Sequence, residues 1–411
     1  MRNIIIVTAF SFFAFACNRK TGNLTQNISP DDSPAKLQIE AAKMINHFGN
    51  SFFDYVYKDG ENIIYSPLSI SSAMAMLYSG ASGETAKEFS NVFRYPNQSY
   101  THKAFKILLD SLATDKNAAV NVAVANALWI NQGYSIEKSY RTNLVDYFNA
   151  ELQEINVENA SKIEQSRQKI NNWVELKTNE NIKNLVPEGV LTDFTRLVLT
   201  NAVYFNGPWK YTFDENKTHK DIFYTSDEEA VSTNFMVQTS TYRIAEKKDF
   251  TIVELPYKNE AFSFLIIKPK SNGKSLDDIP VSEPLIEMTK ELRVERIELH
   301  MPKISFSKNF QLNTLLQDMG LTQVFTSDAD LSGITGNKEL KLDAVLHKAK
   351  IDLHEKGTEA AGATAVVIGV KSAPAKPPLV FKANKPFIFY IIHKASGTAL
   401  FMGSYTHPGE S

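Results

Sequence analysis

The chain has 411 residues, of which 43% are hydrophobic and 22% are charged, so it has enough apolar material for a large core. Its formal net charge of −2 argues against nucleic acid as a partner, because phosphate binding needs clustered Lys and Arg. The interior contains no Pro-, Gly- or Ser-rich linker and no charge run that would mark a domain boundary. We therefore expect one large domain, although the length alone suggests two or three.

The N-terminus has the features of an export signal. Arg2 precedes an apolar run that is too short to cross a bilayer, which is typical of a signal peptide at residues 1–16. The run ends Ala-Phe-Ala-Cys, similar to a bacterial lipobox, in which the cysteine is lipidated. We expect a bacterial lipoprotein, periplasmic or at the cell surface, anchored to a membrane through Cys17. Residues 17–36 are then a disordered polar tether.

Cys17 is also the only cysteine in the chain, which excludes an intrachain disulfide. The alternative interpretation is a plain signal peptide in which this cysteine is incidental.

The first elements of the folded part are helices. Apolar residues recur at helical spacing from Leu37 to Phe52, which predicts an amphipathic helix. Ser66 followed by Pro67 predicts a helix start, because Ser can cap free amides and Pro suits the first turn. The alternation that begins at Val120 predicts a strand.

The second half of the chain is richer in strands. Residues 161–178 predict a helix, whereas 197–205 are apolar and β-branched or aromatic, as in a strand buried on both faces. The odd positions of 345–353 are Val, His, Ala, Ile and Leu, which predicts a strand with one mainly apolar face. Residues 388–393 and 398–405, separated by a Ser-Gly turn, predict a hairpin. Helices come mainly early and strands mainly late, which indicates an α+β fold.

The segment from Glu355 to Ser372 has a polar start, a run of very small residues and an aliphatic stretch that ends in a lone Lys and Ser. It is compatible with a solvated Ala/Gly linker. It is equally compatible with a strand that buries one face, because every second residue is uncharged. These residues are Thr358, Ala360, Gly362, Thr364, Val366, Ile368 and Val370.

Several long motifs resemble those of the serpins, the serine protease inhibitor family. The matching segments are NIIYSPLSI at 62–70 (an early core motif), LTNAVYFNGPW at 199–209 (a central-sheet signature), EKGTEAAGAT at 355–364 (the hinge of the reactive loop), and C-terminal strands at 381–389 and 400–403. The resemblance covers roughly residues 36–408. It implies a single-domain serpin fold at 37–411, with helices, three β-sheets and an exposed reactive-centre loop at about 355–380.

The resemblance also implies a suicide-substrate mechanism. The target protease attacks a bond in the loop and forms an acyl-enzyme. The cleaved loop then inserts into the central sheet and carries the protease to the far pole, where its catalytic site is distorted. Insertion must outrun hydrolysis of the ester, so the leading part of the loop cannot carry bulk or charge on its inward face, and Thr358 and Ala360 are small and uncharged. The resemblance assigns to the hinge residues Glu355, Gly357, Thr358, Glu359, Ala360, Ala361, Gly362, Ala363 and Thr364.

The specificity residue of the family lies sixteen positions after the Glu that opens the hinge. Counting from Glu355 gives Lys371, so the reactive bond is predicted between Lys371 and Ser372. Lys suits a trypsin-like pocket with an acidic base. Lys376 is a poor alternative because a proline follows it. An elastase-like or cysteine-protease range stays open through the aliphatic residues Val367, Ile368 and Val370.

In the family a polar cluster beneath the central sheet helps to control its opening. The resemblance assigns Ser66, Ser69, Asn201 and His347 to this cluster, and Trp209 to the top of the sheet near the entry of the loop. Considered without the resemblance, a lone buried His such as His347 is more often a hydrogen-bonded core residue than a catalytic one.

The sequence gives no support for an enzyme. It has no Gly-x-Ser-x-Gly elbow and no histidines at metal-ligand spacing, so we expect no catalytic residues, no metal and no cofactor. The helix expected near residues 101–113 carries only His102, Lys103 and Lys106, so we predict no heparin cofactor. The expected partners are target serine proteases and the membrane, with the protein itself a monomer. The alternative function is that of a non-inhibitory serpin, a binding or chaperone-like module.

Overall fold

The computed structural model describes residues 33–113, 120–270, 275–281, 284–358 and 377–409, which belong to one compact unit. The helices are α1 Pro34–Val56, α2 Pro67–Tyr78, α3 Gly83–Phe93, α4 Gln98–Leu112, α5 Lys138–Phe148, α6 Ala160–Lys177, α7 Leu285–Lys290, α8 Asn313–Asp318 and α9 Ser332–Thr335. Short 3-10 turns lie at Glu215–Lys217, Leu276–Asp278 and Gln323–Phe325.

The strands of the first half are β1 Ile63–Tyr65, β2 Asn121–Asn131, β3 Glu151–Ile155, β4 Leu197–Pro208, β5 His219–Tyr224, β6 Ala230–Glu246, β7 Phe250–Pro256 and β8 Phe262–Pro269. Those of the second half are β9 Arg293–Pro302, β10 Ile304–Gln311, β11 Ala344–His354, β12 Gly357–Thr358, β13 Leu379–Lys382, β14 Phe387–His393 and β15 Thr398–Tyr405. Each element predicted from the sequence is present, within a few residues of its predicted bounds.

The first helix begins earlier than predicted. The sequence assigned residues up to 36 to a disordered tether, but α1 starts at Pro34. Proline suits the first turn of a helix because its φ is already fixed and its missing N–H would have no helical partner there. The folded domain therefore includes the last three residues of the predicted tether.

The six-stranded sheet has the order β10-β11-β12-β4-β2-β3. Strand β4 is buried along nearly its whole length because its two faces are covered by different layers. One face joins the main core, and the other joins a smaller core beneath α6, where Trp129 and Trp173 meet edge to face at 5.5 Å between ring centroids. This burial explains the continuous apolar sequence of β4.

The other strands form a nine-stranded network in the order β1-β15-β14-β8-β7-β6-β9-β13, with β5 paired to β6. Strand β6 pairs with β9 along much of its length but with β7 only at its end. Dividing the network at β6 gives, with the six-stranded sheet, the three sheets that the resemblance implies. The α+β class is confirmed.

Helix α2 is buried throughout because it lies between the two networks, in contact with β2 and β4 on one side and β15 on the other. It begins as the sequence predicts: the Ser66 hydroxyl accepts a hydrogen bond from the Ser69 amide at 3.1 Å, and Pro67 occupies the first turn. Among the residues described, no helix combines the length and apolar character needed to cross a membrane.

Candidate functional site

Strands β4 and β11 are parallel neighbours over only part of their length. They pair from Val198–Ala202 against Ala344–Lys348, and beyond that point their direct ladder ends. At the other end of the sheet β12 lies between them and pairs antiparallel with both. We call the intervening stretch, residues 203–206 of β4 opposite 349–352 of β11, the gap. The sheet is thus closed in one half and parted in the other.

The two residues of β12 fit this position closely. Gly357 has a φ of +156°, and a Cβ there would lie 2.2 Å from the carbonyl oxygen of Gly207, so a larger residue could not come this near to β4. Thr358 is buried, and its hydroxyl is 2.7 Å from that of Tyr257. The resemblance implies an exposed loop from about residue 355. Instead, backbone pairing holds the first hinge residues inside the sheet.

Glu355 anchors the turn that leads into β12. Its carboxylate accepts hydrogen bonds from the Thr218 hydroxyl at 2.8 Å and from the Lys303 ammonium at 3.0 Å. Burial would raise the pKa of this carboxyl, but its own backbone amide, Thr218 and Lys303 outweigh burial and hold the pKa below the ordinary value of 4.5. Glu355 is therefore ionised at neutral pH and fixes the hinge to the residue before β5 and to the residue between β9 and β10.

Trp209 holds the same turn from the other side. Its indole N–H donates to the carbonyl oxygen of His354 and its amide to that of Lys356, both at 3.0 Å. The indole ring stacks on Tyr257 with 4.7 Å between centroids. The structure places Trp209 directly after β4, beside the start of the loop.

A chain of buried polar groups crosses the closed half of the sheet. His347 on β11 and Asn201 on β4 are ladder partners, and the His Nδ1 lies 2.6 Å from the Asn Oδ1. The Nε2 atom accepts from the Ser66 amide at 3.1 Å, and the Ser66 hydroxyl donates to the carbonyl oxygen of Leu400 at 2.5 Å. The structure thus joins β4, β11, α2 and β15 through one hydrogen-bonded network.

The partners of His347 determine its tautomer. Because Nε2 accepts from a backbone N–H, the ring proton lies on Nδ1 and is donated to Asn201. Burial lowers the pKa of His347 to about 3, so the ring is neutral at working pH. The residue is fully enclosed, and every bond it makes is structural.

The network also contains two residues that the sequence analysis missed. The Asn201 amide donates to the Ser69 hydroxyl and to the Asn126 side chain, and Asn126 donates to the Ser72 hydroxyl at 2.8 Å. Asn126 interrupts the apolar inward face of β2, and this polar break in an alternating strand could have identified it. Tyr257, Thr218 and Lys303 carry no such signal, because only the fold brings them to the hinge.

The rest of the predicted loop lies outside the described residues, and so does the predicted lipid attachment site, Cys17. The loop residues concerned are Glu359, Ala360, Ala361, Gly362, Ala363, Thr364, Val367, Ile368, Val370, Lys371 and Ser372. In the ranges that the structure covers, no group of three or more His, Cys, Asp or Glu side chains could hold a metal ion.

Comparisons with known proteins agree on one family. A family model described as "Serpin (serine protease inhibitor)" matches residues 43–408. An uncharacterized serpin-like protein from Methanosarcina acetivorans is 36% identical over 385 residues, which cover 92% of this chain and 89% of the relative.

Solved structures give the same result. Native protease nexin-1 with heparin superposes with a TM-score of 0.80 at 29% identity, over 92% of this chain and all of the other. Human thyroxine-binding globulin complexed with its hormone superposes with a TM-score of 0.81 at 25% identity, over 91% of this chain and all of the other.

Replacing Glu355 by Gln should weaken the anchor of the hinge. At pH 7 we expect a lower midpoint of thermal unfolding. The free energy of unfolding should fall by about 1 kcal/mol, because the charge-assisted bond from Lys303 is lost. The folded-state pKa of Glu355 is lowered, so its contribution is complete above about pH 4.5 and is lost as the pH falls through the lowered value. The difference from wild type should therefore narrow below pH 4.5.

Circular dichroism melts between pH 7 and pH 3 measure this difference. Glu84→Gln is the control, because that side chain is 58% exposed on α3. A deficit of Glu355→Gln that stayed constant across the whole range would contradict the assignment.

Proposed function

The chain belongs to the serpin family, a family of protease inhibitors, and on that basis we propose that it traps serine proteases covalently at its reactive loop. The observation that carries the proposal is β12, which already lies between β4 and β11 at the open end of the gap. The start of the loop is thus aligned with the place that an inserting strand must enter. After Glu359, the residues from Ala360 to Thr364 are small, as rapid insertion requires.

The covalent step uses the nucleophile of the target. The protease serine oxygen attacks the carbonyl carbon of Lys371, the bond to Ser372 breaks, and the new amino group leaves with the transferred proton. Lys371 is then an ester of the protease. Insertion of the cleaved loop before this ester is hydrolysed holds the protease in a trapped state. The protein contributes the bond that is cleaved and the loop segment that inserts, and it supplies no catalytic group of its own.

The ladder predicts which face each loop residue would take after insertion. Thr358 pairs with Gly207, so each step along the loop moves one step back along β4. Even-numbered loop residues then stand level with Phe205, Val203 and Asn201, which point into the core. The even set is the uncharged one, from Ala360 to Ile368, and burying it is favourable.

Thr364 would reach the level of both Asn201 and His347. Thr358 pairs with Gly207 on β4 and with Leu353 on β11, and continuing each antiparallel ladder by six residues brings Thr364 opposite Asn201 and His347. An inserted strand separates these two side chains and breaks their direct hydrogen bond. A threonine hydroxyl both donates and accepts, so it can satisfy the two separated groups. The polar network would therefore lose one internal bond and gain a replacement.

Insertion must release free energy that the uncleaved molecule retains. Roughly ten new strand positions, at about 1 kcal/mol net per hydrogen bond, give on the order of 10 kcal/mol before burial of the aliphatic residues is added. A native state that lies above an accessible alternative by this amount persists kinetically, behind a barrier. The closed half of the sheet, with its His347–Asn201 bond, contributes to that barrier.

The specificity that we propose is trypsin-like, through Lys371 in an acidic pocket. The aliphatic residues Val367, Ile368 and Val370 would extend the range toward elastase-like or cysteine proteases. We propose no heparin cofactor. Helix α4 supports this view, because Lys106 is paired with Asp110 at 3.0 Å and His102 is buried against aromatic rings. We also propose that the inhibitor acts as a monomer, without a metal or other cofactor.

The competing function is that of a non-inhibitory serpin, a binding or chaperone-like module. The similarity to thyroxine-binding globulin, whose structure was solved with a bound small molecule, supports this alternative. The small residues of the hinge favour inhibition, since a binding protein has no need of a fast-inserting loop. Denaturing gels separate the two functions. An inhibitor gives a band at the sum of the two masses, whereas a non-inhibitory serpin is simply cleaved.

We further propose a lipid anchor at Cys17, supported by the apolar run and lipobox-like sequence before it. Expressed in a bacterium with its leader, the wild type should sediment with membranes and carry an acyl mass on its N-terminal peptide. The Cys17→Ala variant should no longer sediment with membranes, because the acyl chains cannot be attached. Equal distribution of the two proteins would contradict the anchor.

Thr358→Arg should convert the inhibitor into a substrate. Thr358 is already buried beside Tyr257, so Arg would place an unpaired charge in the sheet and delay insertion while the ester hydrolyses. We expect at least about tenfold more inhibitor molecules to be consumed per protease inactivated, since about 1.4 kcal/mol on the insertion barrier has this effect.

The matched control is Thr358→Val, which keeps the shape and loses only the hydroxyl, and it should still trap. Titration of a trypsin-like protease gives the consumption ratio. Wild-type efficiency in Thr358→Arg would show that insertion at this position does not limit trapping.

Lys371→Ala should abolish inhibition of trypsin-like proteases without changing thermal stability, because it removes only the charge that enters the acidic pocket. Lys376→Ala is the control and should inhibit normally, because the bond after Lys376 precedes a proline. Mass spectrometry of the wild-type complex should find a released peptide that begins at Ser372. Inhibition by Lys371→Ala at the wild-type rate would relocate the bond.

A further inference from the structure

We propose that the imidazole of His354 is a positioning group for β12, and that adding a proton to this ring loosens the hold of the six-stranded sheet on β12. His354 is the last residue of β11, and it opens the turn 354–357, which we call the hinge turn. The inference goes beyond the proposed function, because it concerns a response of the hinge turn to acid, whether or not a protease is present.

The hinge turn joins two antiparallel strands through two residues. His354 pairs with Gly357, so Glu355 and Lys356 alone form the connection. Two-residue hairpins favour turns with a positive φ at one or both connecting residues, because such turns match the twist of the strands. Neither Glu355 nor Lys356 is among the described residues that have a positive φ. The hinge turn therefore depends on side-chain contacts to a greater degree than a standard hairpin does.

The imidazole of His354 supplies one of these contacts. Its Nδ1 atom accepts a hydrogen bond from the Lys356 amide at 3.3 Å. The bond spans two residues, as in the turns that Asn and Asp side chains close with the backbone amide two positions on. Because Nδ1 accepts, the neutral ring carries its proton on Nε2. The carbonyl oxygen of His354 accepts from the Trp209 indole at 3.0 Å, so the backbone of this residue is fixed while its ring closes the turn.

The surroundings of His354 favour the neutral ring. Burial lowers the pKa of this partly buried side chain below its ordinary value of 6.5. Two acids, Asp352 on β11 and Glu355 in the turn, oppose burial, and two bases, Lys303 before β10 and Lys356 in the turn, reinforce it. The ring is therefore neutral at pH 7.5 and takes up its proton only as the pH falls below 6.5.

Protonation removes the acceptor that closes the hinge turn. A charged imidazole donates through both nitrogens, so Nδ1–H would point at the Lys356 N–H and the hydrogen bond could not form. Strand β12 consists of Gly357 and Thr358, and so short a strand has few ladder pairs to keep it in place. The pKa of Glu355 lies below 4.5, so the ion pair with Lys303 persists at pH 5 and His354 is the group that responds.

Hydrogen exchange followed by mass spectrometry measures the opening of the hinge turn. The peptide that covers residues 355–358 is followed in wild type, His354→Asn and His354→Ala, each at pH 7.5 and at pH 5. Comparison of the proteins at one pH removes the effect of pH on intrinsic exchange. Asn accepts from the amide two residues on, as His354 does, but it does not titrate in this range. Ala has no acceptor at either pH.

The three proteins should differ in how they respond to acid. At pH 7.5 we expect wild type and His354→Asn to exchange equally and His354→Ala to exchange about fivefold faster, the effect of one lost hydrogen bond. At pH 5 exchange in the wild type should rise toward that of His354→Ala, whereas His354→Asn stays protected. A wild-type response to acid in His354→Asn, or equal exchange of all three proteins at pH 7.5, would overturn the proposal.

A proton titration assigns the response to one ring. The NMR signals of the His354 ring, identified by their loss in His354→Asn, should shift over the same pH range in which exchange accelerates, below pH 6.5. His219→Asn is the matched control and should keep the wild-type response, because His219 is exposed and directly follows Thr218, which contacts Glu355. A response that is absent in Glu355→Gln and present in His354→Asn would contradict the assignment. Protease trapping is measured separately on denaturing gels, so failure of this inference leaves the proposed function intact.

Discussion

The direct pairing of β4 with β11 is the constraint on which the rest of this molecule depends. Over residues 198–202 and 344–348 the two strands share a ladder, and over the gap they are parted. The buried network extends this pairing beyond the sheet, because Ser66 links His347 to α2 and, through Leu400, to the C-terminal hairpin. Separating the two strands therefore disturbs one helix and both sheet networks at once, which makes the closed half cooperative.

The pairing of β4 with β11 includes a buried polar pair, His347 and Asn201. An apolar pair between β4 and β11 would hold the strands together without specifying what can replace it. A hydrogen-bonded pair leaves two unsatisfied groups when it opens, which is costly until a new partner arrives. In the proposed mechanism, this pair would resist opening until an inserting strand brings the Thr364 hydroxyl to the level of Asn201 and His347. Neutral His347, with its proton fixed on Nδ1, keeps this behaviour independent of pH over the ordinary range.

The sequence predicted much of this arrangement for physical reasons that can be identified. Strands β4 and β11 were visible because burial on two faces, or on one face, leaves a distinct apolar pattern. His347 was visible as a polar residue on an apolar face. The anchor of the hinge was not predictable, since Lys303 and Thr218 are ordinary surface-like residues until the fold brings them to Glu355. The partial insertion of β12 was also invisible, because exposed loop and paired strand share one composition.

The ladders on β4 and β11 give the same position for each inserted loop residue, and this agreement limits how the loop can vary in sequence and length. In the proposed mechanism, recognition of the target would depend on Lys371 and its neighbours, whereas insertion would depend on the hinge residues before them. The two roles would then fall on separate parts of one segment. In that case, the residues at the reactive bond could be substituted to recognise another protease without changing loop insertion, provided that the number of residues is kept. An additional residue in the inserting part of the loop would turn every following side chain to the opposite face of the strand. The proposed mechanism therefore predicts that substitutions at these positions change the target protease, whereas an insertion before them impairs inhibition.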